Sequence, residues 1–169
     1  MQLFIITLTH CPIFGDHYSY TYTEEKKINK NLKKVKKVFI SYAREDCKVA
    51  KKIYNDIKSN GIIPWIDCED LLPGQKWKKE ISQAIKDSSY FLALLSSNSI
   101  SKKGYVQKEL KLALDVYDEF PHSEIFIIPV RIDSCIPNDE RLNVLHWSDL
   151  FPSYNEGLQR ILKVLKKDI

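Results

Sequence analysis

The chain has 169 residues, 44% hydrophobic and 28% charged, which suits one soluble globular domain with a single buried core. Its net charge of +4 resides entirely in residues 1–37, where seven lysines face three acids, while the remaining 132 residues hold 19 basic and 19 acidic side chains. That neutrality argues against a nucleic-acid surface, and the wide spacing of Cys11, Cys47, Cys68 and Cys135 suggests neither a zinc site nor a disulfide framework, so no metal is expected and the thiols read as reduced.

Leu3–Leu8 is apolar but has no basic region before it and is broken at Thr7. It is too short for a signal-peptide core or a bilayer span, so the expectation is a cytoplasmic protein without membrane contact. Tyr18, Tyr20 and Tyr22 alternate as in a strand, and residues 1–25 fit a loose hairpin around Pro12 and Gly15, a docked arm or disorder. EEKKINKNLKKVKK, residues 24–37, reads as a solvated connector or short helix without interleaved aromatics. The chain is thus divided into an extension, 1–37, and a domain, 38–169.

At Val38 the pattern changes. KKVFISYA is a short apolar run ending in small polar residues, the form of a buried parallel strand. The segment REDCKVAKKIYNDIKSNG predicts a helix with Val49, Ile53 and Ile57 on its inner face, Asp46 capping its start and Gly61 ending it. IIPWID is a strand that Pro64 places at a sheet edge or after a kink. CEDLLPGQ is a loop marked by Pro73-Gly74, and WKKEISQAIKDS a helix burying Trp77, Ile81 and Ile85. SYFLALLS predicts a central strand and SNSISKK a polar loop.

The next helix, SKKGYVQKELKLALDVY, sets Val106, Leu110, Ala113, Leu114 and Tyr117 on one stripe. Tyr105 and Glu109 share the neighbouring stripe, one turn apart. EIFIIPVRID and VLHWSDL supply two more strands, and residues 153–168 a closing helix with Leu158, Ile161, Leu162 and Leu165 inward. Strand–helix alternation of this kind gives an α/β fold, a flavodoxin-like doubly wound five-stranded parallel sheet with its functional loops at the carboxyl ends of the strands.

Several chemistries of such sheets fail on the residues. The first strand–helix turn, SYAREDC, holds no glycine, which excludes a G-x-G-x-x-G dinucleotide site and a phosphate-binding P-loop. The third strand ends in Ser96-Ser97 rather than the Asp of a phospho-receiver, and G-x-S-x-G does not occur. Cys47 and Cys68 have no His/Asp partner at a telling spacing for a thiol nucleophile, and His146 beside Trp147 reads as structural.

Four segments, FISYAREDC, GIIPWIDCEDLLPGQKW, FLALLSSNSISKKGYVQKEL and IIPVRIDSC with HWSDLF, resemble in order and spacing the boxes of a bacterial-type Toll/interleukin receptor (TIR) domain over residues 37–167. The resemblance implies cleavage of NAD⁺ between nicotinamide and ribose, with NAD⁺ as substrate and no cofactor. It places the catalytic carboxylate at Glu109, with Tyr105 where tryptophan is more usual, and carries Phe39, Ser41, Arg44 and Trp77 over as substrate-binding residues. Asp67 to Gln75 corresponds to the family's BB loop, used in TIR–TIR self-association and in gating the pocket. A place near a helix N-terminus would favour ionised Glu109.

The expected setting is a bacterial immune or virulence effector driven by an upstream sensor protein, with no nucleic acid or membrane as partner. The competing readings are plain: Glu109 as a surface charge, Trp77 as core, Arg44 paired with Glu45 or Asp46, and the whole domain as a non-catalytic TIR scaffold or adaptor.

Overall fold

The computed structural model describes residues 36–101, 105–117, 125–137 and 139–167, by backbone alone at 101, 105–107, 116 and 117. Residues 1–25, read as a loose hairpin, a docked arm or disorder, and nearly all of the connector lie outside the described residues. In chain order the elements are β1 (Lys37–Ser41), α1 (Cys47–Ser59) after one 3₁₀ turn at Arg44–Asp46, β2 (Ile63–Trp65), α2 (Asp67–Asp70), α3 (Trp77–Asp87) and β3 (Tyr90–Leu95). Then follow α4 (Ser97–Ser101), α5 (Tyr105–Tyr117), β4 (Ile127–Arg131), α6 (Glu140–Asn143), β5 (Ser148–Asp149) and α7 (Tyr154–Leu165).

All five strands pair in parallel in the order β2-β1-β3-β4-β5, so β2, with Pro64 in it, is an edge as its proline predicted. Alternation along the strands sorts side chains into two layers. Val38, Ile40, Leu92, Leu94, Ile128 and Val130 pack under α1 and α7 with Ile53, Ile57, Ile161 and Leu165. Phe39, Phe91, Ala93, Leu95 and Ile127 pack under α3 and α5 with Ile81, Ile85, Ala113 and Leu114. Each fully buried Ile, Leu or Phe contributes about 1.5–3 kcal/mol.

α1 stops as its sequence predicted. Gly61 has φ +77°, its N–H donates to Lys58 O, and the Ile62 N–H donates to Ile57 O, a paired closure that a β-carbon would strain. At Gly157 of α7 an added β-carbon would collide with the backbone carbonyl of Asp149, so this glycine lets the helix lie directly on β5.

Three expectations need correction. Asp46 stands before α1 but makes no capping bond; its carboxylate is buried and takes Ser96 Oγ at 2.6 Å instead. The stretches read as loops at CEDLLPGQ and SNSISKK begin as α2 and α4, helices of 4 and 5 residues that are too short to show a helical period in sequence. Trp77 was expected in the core with Ile81 and Ile85, but it is 46% exposed; as the first residue of α3 it projects past the layer that those isoleucines fill.

Candidate functional site

β1 ends in Ser41, and its alternation turns that hydroxyl to the same side as Phe39, the side of α3 and α5. α5 buries Glu109, Ala113 and Leu114, and the 3.6-residue period puts Glu109 one turn before Ala113 on the inward stripe. The carboxylate is 8% exposed, and its Oε2 accepts a hydrogen bond from Ser41 Oγ at 2.7 Å. Among the described residues Oε1 has no hydrogen-bond partner, yet no buried side-chain polar atom is left sealed without one. Oε1 therefore opens onto free space.

That space is a cavity of about 400 Å³ at the carboxyl edge of the sheet, lined by Phe39, Ile40, Tyr42, Arg44, Asp67, Leu71, Trp77, Ile81 and Glu109. Phe39 makes its base: the ring is 1% exposed and stacked between Trp65 (4.8 Å) and Phe91 (5.4 Å). Trp77 offers a half-exposed indole at the mouth, with Lys78 Nζ 5.4 Å from its ring centre. Arg44 is exposed at the rim and forms no ion pair among the described residues, so neither Glu45 nor Asp46 claims its guanidinium.

Burial governs the electrostatics of Glu109. Loss of solvent raises its pKa to about 8, the Ser41 hydrogen bond pulls it back down, and the nearby negative charge of Asp67 adds to the rise. The expectation that the helix N-terminus keeps Glu109 ionised is overturned, because Glu109 is the fifth residue of α5, beyond the first turn where the dipole acts. Asp67 is held by the Tyr42 hydroxyl at 2.8 Å and the Cys68 N–H at 2.7 Å, both on Oδ1. Burial also pushes the Tyr42 phenol up, so it stays a donor.

Five residues singled out in the sequence thus meet at one place. Phe39, Arg44, Trp77 and Glu109 line the cavity, and Ser41 bonds the carboxylate beneath it. Tyr105 begins α5, and its side chain lies outside the described residues. Asp67 was expected only as the start of the loop after β2, although an acid following a parallel strand's carboxyl end is where ligands meet such sheets. Among the described residues no group of three or more His, Cys, Asp or Glu is arranged to hold a metal ion, and no helix is long and apolar enough to cross a membrane.

A family model described as TIR domain matches residues 38–162. A probable 2′ cyclic ADP-D-ribose synthase, TcpO, of Methanobrevibacter olleyae is 28% identical over 121 residues, 71% of this chain and 33% of that protein. An uncharacterized protein, y4cD, of Sinorhizobium fredii is 24% identical over 111 residues, 66% of this chain and 17% of that protein. The chain therefore spans a third or less of the length of these relatives. Among solved structures, the TIR domains of the activated Roq1 resistosome superpose with a TM-score of 0.62 at 22% identity, covering 77% of this chain and 99% of that one. The TIR domain of the Toll-related receptor TRR-2 of Hydra magnipapillata gives 0.58 at 23%, covering 75% and 97%. A metazoan TIR-STING receptor from C. gigas gives 0.63 at 20%, covering 78% and 40%. These structures share the fold.

Proposed function

Because the chain belongs to the TIR domain family, we propose that it is an NAD⁺ glycohydrolase, cleaving the nicotinamide–ribose bond to release nicotinamide and ADP-ribose or a cyclic isomer. The observation that carries the reading is Glu109: a buried carboxylate, bonded on one oxygen by Ser41 and open on the other to an aromatic-lined cavity. The 28% likeness to a probable cyclic ADP-ribose synthase supports it.

The chemistry follows from the substrate's own charge. Nicotinamide leaves with the electron pair of the glycosidic bond and becomes neutral, so no general acid is needed. Positive charge develops at the anomeric carbon, and ionised Glu109 is the group that stabilises it. Attack by water, which gives up a proton, yields ADP-ribose; attack by a hydroxyl of the same molecule yields the cyclic isomer. Arg44 at the rim suits the pyrophosphate and Trp77 a stacked ring. The pyridinium's positive charge beside Glu109 and Asp67 favours ionisation of the buried acid on binding.

Homotypic assembly is part of the proposal: self-association completes the pocket, and an upstream sensor protein supplies the trigger. Dilute chain then turns over slowly, and chain tethered at high density on beads turns over faster. The test incubates wild type and Glu109→Ala with NAD⁺ in both states and measures nicotinamide by chromatography. Release by wild type alone, greater when tethered, is the expected result. No release from wild type that still self-associates would make the domain a scaffold, and equal release from both proteins would move the chemistry to another carboxylate.

A further inference from the structure

Two carboxylates of the cavity are held in the same way. Glu109, 8% exposed, accepts from Ser41 on Oε2 and turns Oε1 to the open space. Asp67, half-buried, accepts from the Tyr42 hydroxyl at 2.8 Å and the Cys68 N–H at 2.7 Å, both on Oδ1. Among the described residues nothing donates to its Oδ2. Asp67 opens α2 just past the carboxyl end of β2, and Glu109 lies on α5, so the two acids reach one cavity from different elements.

The proposed cleavage leaves one proton without a destination. Water, or a hydroxyl of the substrate, sheds it on joining the anomeric carbon. Glu109 has no oxygen to receive it, because Oε2 is held by Ser41 and Oε1 faces the developing positive charge. We propose that Asp67 is the general base of the reaction, its Oδ2 taking the proton of the incoming nucleophile. The C–N bond breaks and its electron pair leaves with nicotinamide. The nucleophile's oxygen forms the new C–O bond, and its proton passes to Asp67 and then to solvent. Tyr42, which fixes the carboxylate through Oδ1, is a positioning residue.

The assignment separates two classes of nucleophile. Water and hydroxyls must lose a proton when they bond to the anomeric carbon. The ring nitrogen of nicotinamide carries none, so its return to the same cation, which restores NAD⁺, needs no base. Loss of the base therefore slows hydrolysis and spares exchange, whereas damage to the pocket slows both. The inference rests on the glycohydrolase reading.

In the test, the full chain tethered on beads is incubated with NAD⁺ and isotope-labelled nicotinamide. Chromatography follows label entering NAD⁺ beside the ADP-ribose and cyclic isomer formed, for wild type and Asp67→Asn. Asparagine keeps a carbonyl to accept from Tyr42 and the Cys68 N–H, so Tm should hold. Hydrolysis and cyclisation are expected to fall about 100-fold, while label enters NAD⁺ near the wild-type rate. Unchanged hydrolysis, or a fall in hydrolysis and exchange together, would overturn the assignment. Where Asp67→Asn does not fold, Tyr42→Phe carries the test, since it frees Oδ1 and leaves the carboxylate. A ratio of exchange to hydrolysis no higher than wild type then overturns it. A wild type that neither releases nor exchanges nicotinamide ends the glycohydrolase reading, and this assignment with it, so the two failures are told apart.

Discussion

Asp46 and Glu109 are buried alike, 7% and 8% exposed, and each takes a serine hydroxyl across the carboxyl edge of the sheet, from Ser96 at 2.6 Å and Ser41 at 2.7 Å respectively. Their second oxygens differ. Asp46 Oδ1 receives Asn98 Nδ2 at 3.4 Å, so the acid joins the 3₁₀ turn before α1 to the start of α4 and is used up in doing so. Glu109 Oε1 has no such partner among the described residues and looks into a cavity of about 400 Å³. Burial of a carboxylate, then, does not mark a site; an uncommitted lone pair beside a void does.

Deleting each carboxylate separates the two acids most sharply. Glu109→Ala is expected to lower nicotinamide release at least ~100-fold, the scale for removing a group aimed at developing charge, without loss of Tm, because the cost of burying the acid goes with it. Asp46→Ala should do the reverse. It takes away the acceptor of the buried Ser96 hydroxyl, at a cost of about 2 kcal/mol, read as a Tm lower by roughly 4–8 °C. Its nicotinamide release well below Tm should match wild type. Calorimetry and the nicotinamide assay on the same two variants check both halves.

The sequence carried the fold further than the site. Strands such as FLALL and helices such as α7 repeat their periods over enough residues to be read, and the absence of glycine in SYAREDC disposed of phosphate-binding loops directly. Glu109 and Ser41 were legible only through the TIR resemblance, since nothing local says that residues 68 positions apart share a hydrogen bond. Asp46 misled in the other direction: an acid before a helix reads as a cap, and only the approach of Ser96 across the sheet edge shows its other use. Trp77 matched the 77/81/85 stripe, but periodicity does not say where the layer beneath a helix ends.

Trp77 carries the next largest effect. At 46% exposure on the cavity rim, its loss should leave Tm nearly unchanged while raising KM for NAD⁺ about 10-fold, the weight of one ring stacked on an aromatic. Ile81→Ala, one turn further along the same helix and 3% exposed, should instead cost about 2–5 kcal/mol of stability. A KM change for Ile81→Ala at unchanged Tm would dissolve the distinction between rim and core.

Glu109 also writes itself into stability against pH. Its native pKa of about 8 stands above its ordinary 4.5. Below 4.5 both states hold the proton and the group contributes nothing to the slope. Between 4.5 and about 8 the unfolded chain gives up a proton that the native chain keeps, so stability falls as pH rises, and above about 8 the loss levels off. Glu109→Gln should flatten that decline in Tm across the same window, and an unchanged slope would mean that the acid is not held protonated.

Ser41→Ala asks the smallest question, whether the hydrogen bond that distinguishes Glu109 from a merely buried acid tunes its ionisation. Ser41 donates to the carboxylate and lowers its pKa against the desolvation that raises it. Removing the hydroxyl leaves the desolvation unopposed, so the pKa moves further up and the ionised fraction at pH 7 shrinks. If ionised Glu109 is the form that acts, kcat/KM of wild type climbs with pH toward about 8, and the Ser41→Ala curve climbs later, reaching a similar plateau at higher pH. A uniform drop at every pH would mean that Ser41 only positions the carboxylate or the substrate. A shift toward acid would contradict the hydrogen bond's direction and with it the account of why this carboxylate, and not Asp46, titrates near neutrality in a cavity.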